Sequence, residues 1–188
     1  MPRTGLSKEE IIEKAARLAN EKGLAYLSVT TLSEYLNIKK PSLYNHMKTI
    51  DDIHKDIMVY GWRKVSEEIV EGIDSGDPRE NLMTYGRKCY AFAMENPGVF
   101  EAMLWYNKYS DDTLLAATEG LYKFFFKQTD DLKVDRTMAN HLLRTYRAFL
   151  EGFIMLQIHN SFGNPISIEE SFEISLNVLA KGMEQYSK

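Results

Sequence analysis

Residues 39–47 read KKPSLYNHM, a stretch in which only Leu43 and Met47 suit a buried position. Pro41 fits the first turn of a helix, where an N–H would have had no intrahelical partner. A helix that starts there packs through Leu43 and Met47 and turns Lys40, Ser42, Tyr44, Asn45, His46 and Lys48 away from the core. Either water or a partner meets that polar face.

The flanking sequence puts this helix third in a series. Upstream, Ser7 and Glu10 have capping-box spacing, Ile11, Ala15, Leu18 and Ala19 share one helical face, and Gly23 closes the segment. Ser28 then suits the cap of a short helix carrying Val29, Leu32 and Leu36. Three short helices in about 40 residues are what a helix-turn-helix module requires. Downstream, Asp51 and Asp52 open a fourth helix that carries Ile53, Ile57, Val65 and Ile69 and is predicted to run to Gly72 or Asp74. At 1.5 Å per residue it would be about 30 Å long. After the break DSGDP (residues 74–78), helices are predicted over residues 78–94, from Pro97, and over residues 111–128. TDDLKVD (residues 129–135) leads into an eighth over residues 136–160, and after NSFGNP (residues 160–165) a ninth begins near Ser167. No strand-type alternation occurs, so the expected fold class is all-α, with about nine helices.

Composition narrows the function. At 188 residues and 44% hydrophobic content the chain has enough material for a buried core. No apolar run approaches the about 18 residues of a membrane span, and MPRTGLSKEE lacks a signal peptide's apolar core, so no membrane partner and a cytoplasmic location are expected. The lone cysteine, Cys89, suits a reducing compartment and a small buried position. The net charge of −4 is uneven: residues 1–50 carry eight Lys or Arg against five Asp or Glu, while the rest carries 15 against 22. A basic head on an acidic body points to a polyanion at the head. Enzymatic chemistry has no footing, because the histidines at 46, 54, 141 and 159 show no metal-ligand spacing and no phosphate-cradling glycine loop is present. The Asp-Asp pairs beginning at 51, 111 and 130 read as helix caps or loops, so no catalytic residue, metal or cofactor is expected.

The stretch GLAYLSVTTLSEYLNIKKPSLYNHMKTIDDI (residues 23–53) resembles the DNA-binding segment of the TetR family of bacterial repressors. Leu32, Leu36, Ile38, Leu43, Tyr44, His46 and Met47 fall where that family has its helix-turn-helix core and reading face. Two positions depart from it: Asn37 stands where a turn glycine is usual, and Ile50 where many relatives place a phosphate-binding lysine. The chemistry of the face agrees with double-stranded DNA as partner. Lys40 suits guanine acceptors or phosphate, Asn45 an adenine edge, and Pro41 a thymine methyl. Ser42, Tyr44, His46 and Lys48, with Ser28, Thr30 and Thr31 at the start of the second helix, suit phosphate oxygens. The resemblance implies a base-edge role at Thr30.

Residues from about 51 onward resemble the family's C-terminal domain, with NPGVFEAML (residues 96–104) and RAFLEGFIMLQ (residues 147–157) similar to one large subgroup of it, except that Arg147 and Glu151-Gly152 replace its Trp and His-Gly. The resemblance implies a DNA-binding domain over residues 1–50 and a ligand-binding and dimerisation domain over residues 51–188. It also implies a small-molecule effector held among helices four to eight, for which Trp62, Tyr85, Cys89, Phe92, Phe100, Met103, Leu104, Trp105, Phe124, Phe125 and Arg147 are the candidates. Arg147 has two uses open, an anionic ligand group or an intrahelical pair with Glu151. The apolar girdle of helix eight is too broad for one covered side and, with helix nine, suggests a homodimer through Phe149, Gly152, Phe153, Leu156, Phe172, Leu176, Leu179 and Met183. The expected protein is a ligand-responsive repressor on a palindromic operator. The alternative is a helical small-molecule-binding or interaction module with weak or lost DNA binding.

Overall fold

The computed structural model describes residues 6–109 and 111–186, apart from the side chain of Asn107. Among them the fold is all-helical, with nine α-helices and no strand: α1 (Lys8–Lys22), α2 (Val29–Tyr35), α3 (Lys40–Tyr44), α4 (Ile50–Lys64), α5 (Pro78–Glu95), α6 (Pro97–Met103), α7 (Asp112–Asp131), α8 (Arg136–Ile158) and α9 (Ile168–Glu184). None of these described helices is long and apolar enough to cross a membrane. The chain packs as two compact units. The first takes residues up to Arg63 together with Glu95–Ala117, the second Lys64–Met94 and residues from Thr118 onward.

The first unit starts with a reciprocal cap: Glu10 N–H donates to Ser7 Oγ at 3.1 Å, and Ser7 N–H to Glu10 Oε2 at 2.7 Å. Helix α1 buries Ile11, Ala15, Ala16, Leu18 and Ala19. Between α2 and α3 the chain turns at Asn37, whose φ of +51° lies in the left-handed region that asparagine tolerates better than other side chains, so the turn forms without glycine. Asp52 caps α4 from inside, its carboxylate accepting from Lys48 N–H at 2.7 Å and Thr49 N–H at 2.9 Å. Those two bonds hold its pKa below the usual carboxylate value. Helix α6 lies hard against α1. A Cβ on Gly98 would sit 2.2 Å from the Ala19 carbonyl oxygen, and Asn20 straddles the joint, accepting from Val99 N–H at 3.0 Å and donating to Asn96 Oδ1 at 3.0 Å. The same helix meets α4 at Gly61, where a Cβ would lie 2.6 Å from Met103 Sδ.

Helix α4 is shorter than the periodicity predicts. Regular geometry ends at Lys64 and gives way to a π-helical turn over Val65–Ile69, closed by Val70 N–H on the Val65 carbonyl at 3.2 Å; Gly72, at φ +76°, then turns the chain. Val65, Ile69 and Ile73 are all buried, so the apolar spacing continues unbroken through the change in backbone bonding. Spacing alone therefore reads as one long helix.

The second unit is built around Leu82, Tyr85, Phe125, Tyr146, Ile154 and Leu176, all buried. Its buried polar groups are matched to each other. Tyr146 donates to the Leu82 carbonyl at 2.6 Å, Asn81 Nδ2 to Gln128 Oε1 at 2.9 Å, and Gln128 Nε2 to the Phe124 carbonyl at 3.1 Å. Asn81 Oδ1 also receives Ser75 N–H at 2.8 Å, which ties the connection before α5 to the core. Asp135 and Ser167 cap α8 and α9. Within one chain α8 buries a single stripe, Ala139, Leu142, Tyr146, Leu150 and Ile154, not the broad girdle its composition suggests.

Candidate nucleic-acid interface

Helix α3 is held from below by Leu43, with Met47 just beyond its end; both are buried. Lys40, Pro41, Ser42, Tyr44, Asn45 and Lys48 are exposed, and His46 is half-buried. Tyr44 leaves 52% of its surface open, a large share for an aromatic with a core beneath it.

The three polar candidates on α2 divide. Ser28 Oγ accepts Thr31 N–H at 3.1 Å, while Thr31 Oγ1 accepts Ser28 N–H at 2.9 Å and donates to the Tyr26 carbonyl at 2.8 Å. These two half-buried hydroxyls form the helix cap, so their work is structural. Thr30 alone of the three is exposed. Its Oγ1 receives Lys40 Nζ at 2.8 Å, which joins α2 to α3 across the outer face.

Beside α3 a groove of about 420 Å³ is lined by Tyr44, Asn45, His46 and Lys48, by Lys8 at the start of α1, and by Asp52, Lys55 and Asp56 of α4. Lys8 pairs with Asp56 at 2.9 Å, and Lys55 with Asp111, whose carboxylate also caps α7 by accepting Leu114 N–H at 3.0 Å. Nothing local in the sequence marks Lys8 as part of this groove, since it stands 36 positions before Tyr44.

The ligand candidates fall into two clusters, one in each unit. In the first, Trp62 donates its indole N–H to the Met103 carbonyl at 3.3 Å and meets Tyr106 edge-on at 6.0 Å, with Phe100 buried nearby in the sequence of α6. Trp105, half-buried after Leu104, lies edge-to-face with His54 at 5.2 Å. Both ring nitrogens of His54 are buried without a hydrogen-bond partner, and burial lowers its pKa below the usual imidazole value. In the second unit Tyr85 packs on Phe124 at 5.5 Å and on Tyr146 at 6.1 Å, and Phe125 on Tyr146 at 6.0 Å. Cys89 is buried beside Tyr85, and burial pushes its thiol up to about 12. A thiol held protonated packs as an apolar group. Phe92 is half-buried, and Arg147 pairs with Glu151 one turn on, the second of its two open uses.

Helices α8 and α9 require a correction. Phe172, Leu176 and Met183 are at most 2% exposed, so the chain's own bundle consumes them. Phe149 and Phe153 are half-buried against Phe172, at 5.7 and 5.3 Å, Leu179 is half-buried, and Gly152 and Leu156 are exposed. The outward apolar side of α9 is instead Ile174 and Val178, 58% and 65% exposed. Helical spacing from Phe172 puts them outside the main stripe, which is why periodicity passed over them.

Comparison with known proteins fits this architecture. Residues 82–179 match the family described as tetracyclin repressor-like, C-terminal domain. An uncharacterized HTH-type transcriptional regulator of Bacillus subtilis, YobS, is 27% identical over 183 residues, covering 97% of this chain and 95% of its own. A second, Rv0681 of Mycobacterium tuberculosis, is 25% identical over 185 residues, covering 96% and 83%. Among solved structures, a TetR variant from Acinetobacter baumannii AYE in complex with minocycline superposes with a TM-score of 0.77 at 17% identity, over 97% of this chain and 99% of that one.

Proposed function

Because the chain belongs to the TetR family of transcriptional regulators, we propose that it acts as a homodimeric repressor that holds a palindromic operator and leaves it when a small molecule binds. The observation that carries this reading is the face of α3, anchored by Leu43 and Met47 and presenting Lys40, Pro41, Ser42, Tyr44 and Asn45 outward beside Thr30. Asn45 suits bidentate hydrogen bonding to an adenine edge, and Lys48, Tyr44, Ser42 and His46 suit phosphates that set register. Residues 1–50 serve as the reading head and residues 51–188 as the effector and dimerisation part.

A homodimer brings two such faces to half-sites about 34–36 Å apart, one turn of duplex. Exposed Leu156, Ile174 and Val178, with Gly152 allowing close approach, are the surfaces a second copy covers. The effector is taken up among the buried aromatics, and α4 is the lever, since it carries the Asp52 cap of the reading head at one end and Trp62 near the other. An effector that binds one head separation better than another shifts the population away from the operator-fitting state. Coupling of about 1–3 kcal/mol would weaken operator binding about 5- to 150-fold.

The test is selection of bound duplexes from the source genome by the full chain, followed by titration with candidate compounds suggested by the neighbouring genes. Release of the selected duplex by a compound that binds supports the mechanism. Tight compound binding with unchanged operator affinity refutes the lever.

A further inference from the structure

We infer that Thr30 and Lys40 read DNA as one coupled element that selects guanine at a single position of each half-site. The inference deepens the proposed DNA-binding function and rests on it.

The two residues are ten apart in sequence and sit at the starts of different helices, yet Lys40 Nζ lies 2.8 Å from Thr30 Oγ1. A lysine ammonium is a compact charge on a flexible four-carbon stem, and on a solvated face it samples many positions. The threonine hydroxyl gives it one. That hydroxyl is available for the task because the neighbouring hydroxyls are not: Ser28 and Thr31 are committed to the α2 cap, and Thr31 also to the Tyr26 carbonyl.

The bond also decides what the pair offers. A hydroxyl has one donor and two lone pairs, and an ammonium has three donors and no acceptor. With a lone pair of Thr30 receiving Lys40, the hydroxyl proton turns elsewhere, and a hydroxyl polarised by a cation is a stronger donor. Two ammonium N–H groups and one O–H remain as donors, side by side, against the single lone pair left on Thr30 Oγ1. In the major groove guanine presents two acceptors, O6 and N7; adenine and cytosine each present an amino donor, and thymine one acceptor beside a methyl. With three donors to one acceptor, the pair matches guanine's two acceptors better than a base edge that presents an amino group. Alone, Thr30 would be a hydroxyl able to give or take and so nearly blind to the base. Asn45, five residues after Lys40 at the end of α3 and carrying both a donor and an acceptor, is left for adenine.

The experiment uses the full chain and its Thr30→Val, Thr30→Ser, Lys40→Met and Thr30→Val/Lys40→Met variants, each selecting from a randomised duplex library. Affinities are then measured for the selected duplex and for the same duplex with the guanine replaced by adenine. Both side chains are exposed, and circular dichroism checks that each variant is folded. The wild type is expected to prefer guanine at one half-site position by about tenfold or more, the scale of a good base contact. Thr30→Val should lose most of that preference although it removes no charge, with the salt dependence unchanged. Lys40→Met should lose it at the same position, the double variant should lose no more than either single, and Thr30→Ser should keep it. If Thr30→Val keeps the preference, or if the single losses multiply in the double variant, the coupling is wrong. If the wild type selects a sequence with no guanine at a position sensitive to Lys40, the base assignment is wrong. A wild type that selects no sequence at all overturns the DNA-binding reading itself, and the pair falls with it.

Discussion

At the scale of single residues, the reading face divides base recognition from phosphate contact. Asn45→Ala should cost about 1–3 kcal/mol on the selected operator and relax the preference at one base pair, while Lys48→Ala should weaken all sequences alike and flatten the salt dependence. Equilibrium titration of each variant against specific and scrambled duplexes checks this. A different kind of constraint sits at Gly98. Alanine is the better helix former by about 1 kcal/mol, but its methyl would press on the backbone of Ala19, which cannot swing aside as a side chain would. Gly98→Ala should therefore destabilise by about 1–3 kcal/mol in denaturant unfolding. His54 gives a pH dependence. Its folded pKa lies below the unfolded value of 6.5, so the unfolded chain binds the extra proton first, and stability falls as pH drops below about 6.5. Thermal midpoints recorded between pH 7.5 and 5.5 should decline, and His54→Phe should make the decline shallower. The outward polar set on α3 was legible in the sequence because Leu43 and Met47 fix its phase. The roles of Ser28 and Thr31 were not, since a hydroxyl that caps a helix and one that meets a phosphate look alike until its partners are placed.

At the scale of elements, several of the nine described helix starts carry an N-cap of a residue type that favours that position: Ser7, Ser28, Asp135 and Ser167 all accept from the first turn of their helices. Removing one should be felt locally. Ser28→Ala frees a backbone N–H and leaves Thr31 half-bonded, a loss of about 1 kcal/mol in thermal unfolding. The end of α4 was illegible for a physical reason already visible in Val65, Ile69 and Ile73, whose burial keeps its rhythm while the backbone changes its hydrogen bonding. The apolar side of α9 misled in the same way, because stripe position does not say which part of a stripe the chain covers for itself. Ile174→Glu and Val178→Glu put charge on the proposed contact between copies without touching the core, and each should move the chain toward monomer in sedimentation velocity while leaving its melting cooperative. A dimer unchanged by both would place the contact elsewhere.

At the scale of the whole molecule, the sequence's charge split, basic over residues 1–50 and acidic after them, separates a segment suited to a polyanion from one that is not. Packing divides the chain along other lines, since α6 is bolted to α1 by Gly98 and Asn20 and so belongs with the reading helices. That grouping depends on contacts almost 80 residues apart and could not be read from local patterns. Function as proposed requires two chains acting on one duplex, and the decisive measurement is salt-titrated binding of the full chain to its selected palindromic duplex, with stoichiometry. The account predicts two chains per duplex and an affinity that falls steeply, by about a thousandfold or more, between about 50 and 200 mM salt. A single chain per duplex, or binding that ignores salt, would contradict it.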